Sequence, residues 1–143
     1  MIQSELLLGK NAVFDWELYK SCCLDSFVLD EENQINLLEK VFSSIRQMDN
    51  ECKMYASTYP IEIKASGISA YADMIWLKTK ISCADLEKLF LGFREIEPSA
   101  IYNLTDDEKK TVDIYIGDNS QSCDFEQVSD LFKENEVKIL YWD

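Results

Sequence analysis

The chain has 143 residues, 47% of them hydrophobic, and a formal net charge of −13 from 27 acidic and 14 basic side chains, with no histidine. That length and apolar share suit one folded domain over residues 1–143, whose core can close without disulfides or metal. The charge excludes phosphate-directed nucleic-acid binding and attachment to anionic membranes, and the lack of histidine removes imidazole triads, histidine zinc sites and imidazole pH switches.

The opening stretch MIQSELLLGK has no basic residue ahead of Leu6, Leu7 and Leu8, and that triplet is too short for a signal-peptide core. No apolar run approaches membrane-span length, so the expected location is the cytoplasm. Cys22, Cys23, Cys52, Cys83 and Cys123 are odd in number and lack framework spacing, which reads as buried free thiols in a reducing compartment.

In VFDWELY, residues 13–19, Phe14, Trp16 and Leu18 alternate with Asp15 and Glu17, the pattern of a half-buried strand. After LDEEN, the residues Ile35, Leu38, Val41, Phe42, Ile45 and Met48 recur at helical spacing, with Asp30 as the expected cap. Cys52 and Tyr55 carry that stripe on toward Pro60, so the helix either continues or breaks near Asp49 and Asn50 into two pieces. IEIKAS (61–66) and YADMIWLKTKI (71–81) predict an antiparallel hairpin turning at Gly67. Ser82, Cys83, Ala84 and Asp85 form a capping signature for a short helix with Leu86, Leu89, Phe90 and Phe93 on one side, stopped by Gly92 and Pro98.

Further on, Thr105 to Glu108 resembles a capping box, and TVDIYIG (111–117) predicts a strand with Val112, Ile114 and Ile116 on one face. A helix is expected from about Asp124, with Phe125, Val128, Leu131 and Phe132 inward and Asn135 at its end. VKILYW follows as the last strand, with Val137, Ile139 and Tyr141 on one face and Lys138, Leu140 and Trp142 on the other. This C-terminal β-α-β order predicts a right-handed crossover that sets the last two strands parallel. The expected fold is α/β, or α+β if the elements segregate: one mixed sheet of roughly four to six strands with helices packed on it.

Catalytic signals are sparse. The DNSQSCD loop (118–124) has oxygen-bearing side chains at alternate positions, but Cys123 and Ser129 stand where a calcium loop needs glycine and glutamate. Cys22 and Cys23 have neither redox nor zinc spacing, so neither metal nor cofactor is expected. Cys83 and Cys123 each lie near an expected helix N-terminus, where the dipole favours thiolate, and Asp15 with Glu17 or Glu95 with Glu97 would serve as acid-base pairs by spacing alone. No phosphate-binding, hydrolase or kinase motif occurs, and no residue is assigned a catalytic role.

The acidity is concentrated. Residues 112–143 hold eight acids, Asp113, Asp118, Asp124, Glu126, Asp130, Glu134, Glu136 and Asp143, against Lys133 and Lys138, a net of −6. The segment also holds Tyr115, Tyr141 and Trp142. Carboxylates beside tyrosine and tryptophan are what a hot spot for a basic protein needs, so Asp113, Tyr115, Asp118, Asp124, Glu126, Asp130, Glu134, Glu136, Tyr141 and Trp142 form the expected partner-binding set. Trp142 divides two cases: in a central strand it is core, and at a sheet edge it is an anchor beside the acidic helix.

In size, acidity and composition the chain resembles bacterial immunity proteins that neutralise toxins of competition systems, including contact-dependent growth inhibition. The resemblance implies a non-catalytic inhibitor of a cognate basic toxin domain, often a nuclease. Two other classes fit the composition: a nucleic-acid mimic acting on a DNA-binding or defence protein, and a small cysteine or carboxylate enzyme or ligand-binding domain.

Overall fold

A computed structural model describes residues 13–59, 62–64, 67–104, 116–117 and 137–143. The first strand, β1 (Val13–Asp15), is cut short by its own last residue. The Asp15 carboxylate accepts from the amides of Glu17 and Leu18, capping helix α1 (Trp16–Cys23). The expected strand over 13–19 is therefore a strand for three residues and a helix thereafter. Trp16 and Tyr19 go inward at helical spacing, and the Phe14, Trp16, Leu18 alternation is incidental.

Helix α2 (Glu32–Met48) follows the predicted stripe, burying Ile35, Leu38, Val41, Phe42 and Ile45. Its N-cap is Glu31 rather than Asp30: the Glu31 side chain meets the backbone of Gln34, whose own side chain accepts from the Glu31 amide. Asp49 ends the helix, and its carboxylate accepts from the Thr79 hydroxyl at 2.7 Å and the Lys80 amide at 3.2 Å. The chain then turns into strand β2 (Lys53–Thr58), in which Met54, Ala56 and Thr58 are buried and Lys53, Tyr55 and Ser57 are less so. Cys52 and Tyr55 thus leave the helical stripe, and period two replaces period 3.6.

The expected hairpin between 61–66 and 71–81 does not form. Among the described residues, strands β3 (Glu62–Lys64) and β4 (Gly67–Ser69) pair with each other alone, and β5 (Ala72–Lys78) pairs antiparallel with β2 on one side and β8 (Val137–Tyr141) on the other. Ser82 caps helix α3 (Cys83–Phe90) as predicted, its hydroxyl accepting from the Asp85 amide. A 3₁₀ turn (Arg94–Ile96) leads to β6 (Ala100–Asn103), and two residues of β7 (Ile116–Gly117) lie beside β1.

The main sheet has six strands in the order β6-β8-β5-β2-β1-β7, all neighbours antiparallel except β1 and β7. It is the mixed sheet of an α/β chain, as expected. One feature differs: β7 and β8 run in opposite directions with three strands between them, so they are not the parallel neighbours of a simple crossover. The β7–β1 pairing sends the chain to one edge, and β8 returns to fill the slot between β6 and β5. The expected capping box at 105–108 and the helix from Asp124 lie outside the described residues.

Helices α1, α2 and α3 cover one face of the sheet. Phe14, Met54, Ala56, Ile75, Leu77, Leu140 and Trp142 meet Trp16, Tyr19, Leu38, Phe42, Leu86 and Phe90 in a continuous apolar core. The opposite face buries Val13, Trp76, Leu104, Val137 and Ile139, with Tyr55, Met74, Tyr102 and Tyr141 half-buried around them. Glu39 ties α1 to α2, accepting from the Trp16 indole at 2.8 Å and pairing with Lys20 at 2.7 Å. Burial works against the Lys20 charge, yet Glu39 and Glu17 carry its pKa above the ordinary lysine value.

Candidate functional site

The β2–β5 pairing contains one irregularity, and the most distinctive surface of the described chain is built on it. Ser57 pairs with Met74 but Thr58 pairs with Ala72, so Asp73 is an extra residue in β5. This β-bulge breaks the alternation of side chains: Ala72 and Ile75 both enter the helix-covered core although they are three residues apart. Its backbone carbonyl is used by the Trp142 amide at 2.9 Å.

The bulge leaves Asp73 only 7% exposed, with its carboxylate accepting from the Tyr59 hydroxyl at 2.9 Å. Burial raises its pKa above the ordinary carboxylate value and the nearby Asp143 adds to that, while the Tyr59 hydrogen bond pulls the other way. No lysine or arginine of the described residues forms an ion pair with it. Such a buried carboxylate without a counter-charge is costly to the fold.

Around it stand the exposed tyrosines. Tyr59 and Tyr71 are joined by a backbone hydrogen bond from the Tyr59 amide to the Tyr71 carbonyl, and their rings stack at 5.6 Å between centroids with 29° between planes. They remain 44% and 45% exposed. Burial, then Asp73, pushes the Tyr59 phenol up to about 12, and the same two causes raise Tyr71. Tyr141 comes from the end of β8, its phenol raised first by Asp143, which follows it in the chain. The Asp143 amide donates to the Ser99 hydroxyl at 2.9 Å, and the Ser99 amide to the Tyr141 carbonyl at 2.7 Å. Three strand ends therefore hold three tyrosines and two carboxylates in a fixed arrangement.

Of the partner-binding set expected from sequence, Tyr141 lies at this surface. Trp142 does not: it is 5% exposed, packs against Phe27 and donates its indole N–H to the Ile96 carbonyl at 2.8 Å. With β8 central, Trp142 takes the core alternative. Asp113, Tyr115, Asp118, Asp124, Glu126, Asp130, Glu134 and Glu136 lie outside the described residues. Sequence reasoning missed Tyr59, Tyr71 and Asp73, because only the bulge brings them together. The one available signal was an acid and a tyrosine flanking Ala72 at the head of an otherwise apolar strand.

The opposite end of the β2–β5 pair differs in character. A cavity of about 240 Å³ opens between Asp49, Glu51, Lys53, Lys78, Thr79 and Lys80, a mixed-charge rim. The neighbouring Cys52 thiol is pushed up to about 11, first by burial and then by Asp49. Cys83, expected to favour thiolate at its helix end, is raised instead: its burial outweighs the attraction of Lys138, whose ammonium donates to the Thr79 carbonyl at 2.8 Å. Among the described residues no three Cys, Asp or Glu side chains gather as a metal site, and no helix is long and apolar enough to cross a membrane.

No protein-family model matches the chain, and neither the curated proteins nor the solved structures yield a match.

Proposed function

We propose that the protein is a non-catalytic acidic inhibitor, an immunity protein that binds a cognate basic toxin domain, a nuclease in the commonest form of that pairing, in the bacterial cytoplasm. The observation that carries the reading is the surface at Tyr59, Tyr71, Asp73, Tyr141 and Asp143. Exposed stacked tyrosines offer rigid contact area at low entropic cost, and the carboxylates beside them form no ion pair with a cation among the described residues. A partner with a basic face supplies what that surface lacks. The net charge of −13 steers such a partner in and repels nucleic acid, so an inhibitor of this kind would cover a nuclease without competing for its own surface.

The test is capture of the toxin domain encoded beside the gene, together with protection of growth when that domain is expressed. Retention at low salt and restored growth are expected, with Tyr71→Ala weakening capture while the fold is kept, because Tyr71 is half in solvent. If the neighbouring domain is not retained and growth is not restored, the reading is wrong.

A further inference from the structure

We infer that the surface formed by the stacked Tyr59 and Tyr71 rings beside Asp73 receives an arginine side chain of the partner, in preference to a lysine. This rests on the inhibitor reading for the source of the arginine, and on geometry for the preference. The two stacked rings present flat faces, and a guanidinium is itself flat, so it can lie against one of them and still direct its edge at a carboxylate. An ammonium matches neither the plane nor the fork.

Asp73 has acceptor capacity left over. Its Oδ2 takes one hydrogen from Tyr59, while an ionised carboxylate has about four lone-pair positions. Asp143 contributes a second carboxylate just beyond β8, one residue after Trp142, whose amide is hydrogen-bonded to the Asp73 carbonyl. Two carboxylates on adjoining strand ends draw a single planar cation. The bulge also carries meaning here. A regular strand would have kept the alternation and paired residue 73 opposite Thr58; the extra residue instead turns the carboxylate to Tyr59. The backbone hydrogen bonds from Tyr59 to Tyr71 and from Trp142 to Asp73 keep the site formed before anything binds, which lowers the ordering cost of binding.

The probes are N-acetyl-arginine amide and N-acetyl-lysine amide, titrated into the full chain and followed by backbone amide chemical shifts. Arginine amide is expected to shift Tyr59, Tyr71, Asp73, Tyr141 and Asp143 saturably, binding about threefold or more tighter than lysine amide, because both can make the cation–π contact and only the guanidinium fork adds a bidentate carboxylate contact. Tyr71→Ala should remove the preference, and Asp73→Asn should weaken arginine binding while the asparagine oxygen still accepts from Tyr59 and holds the fold. Equal binding of the two amides, or shifts centred elsewhere, overturns the inference. The two ideas fail separately. Toxin capture lost in Tyr71→Ala while both amides bind alike leaves the inhibitor reading standing without the arginine preference. Arginine-selective binding with no toxin captured leaves the site standing without the inhibitor reading.

Discussion

Tyr59 shows how partial burial and a neighbouring carboxylate together make a residue sensitive to pH. Its phenol holds its proton up to about 12 against 10.0 for an ordinary tyrosine, first through burial and then through Asp73. The folded state therefore binds this proton more tightly than the unfolded chain does. The resulting stabilisation is complete below pH 10 and is lost as the pH rises toward 12. Denaturation midpoints measured across that window should fall, and Tyr59→Phe should make the fall shallower, since the variant has no phenol there to titrate. An unchanged slope would mean that the Tyr59 phenol does not keep this partly buried, carboxylate-flanked environment in solution. At this scale the sequence was legible for alternation and illegible for the bulge: nothing local in YADMIW says which residue goes unpaired, because that depends on the register β5 shares with β2 and β8 at once. The same is true of Trp142. Its alternation with Leu140 was readable, whereas its burial depended on β8 lying between two other strands.

At the scale of elements, capping decides more than hydrophobic pattern does. Ser82 starts α3 where the sequence places it, and the apolar stripe of α2 is the one predicted, because both signals are local and strong. At Asp15 the pattern misled, and at Asp49 it left open whether the helix continued or broke. Each carboxylate ends one element and organises another: Asp15 stops β1 and caps α1, and Asp49 closes α2 onto Thr79 and Lys80, which follow β5. Neither role, the cap at Asp15 nor the tie from Asp49 to Thr79 and Lys80, is marked in the sequence. The end of β8 is fixed in a comparable way, by the Trp142 indole on Ile96 and the Trp142 amide on Asp73. Trp142→Ala removes a buried ring and leaves the Ile96 carbonyl without its donor, so unfolding in urea should show a loss of about 3–5 kcal/mol. A change of less than about 1 kcal/mol, the range of ordinary surface substitutions, would put the indole outside the core.

At the scale of the whole molecule, the β2–β5 pair carries different chemistry at its two ends. Lys53, Lys78 and Lys80 lie with Asp49 and Glu51 at one end, and Asp73, Tyr59 and Tyr71 at the other, about 20 Å apart along a strand of this length. That distance exceeds the Debye length of about 8 Å at physiological salt, so there the lysine end barely offsets the carboxylate end. At low salt the screening length grows past the molecule, and an approaching basic protein feels the full net charge of −13. The association rate constant with a basic partner should therefore rise roughly tenfold or more as ionic strength is lowered from physiological values. Lys53→Gln with Lys80→Gln should add to that rise at low salt and leave dissociation unchanged, since both side chains are far from the tyrosines. Asp73→Asn should act chiefly on dissociation, because it removes a contact rather than a distant field. Stopped-flow association at a series of salt concentrations separates the two effects. An association rate indifferent to salt, or a lysine pair whose removal speeds dissociation, would place the contact at the lysine end of the sheet instead.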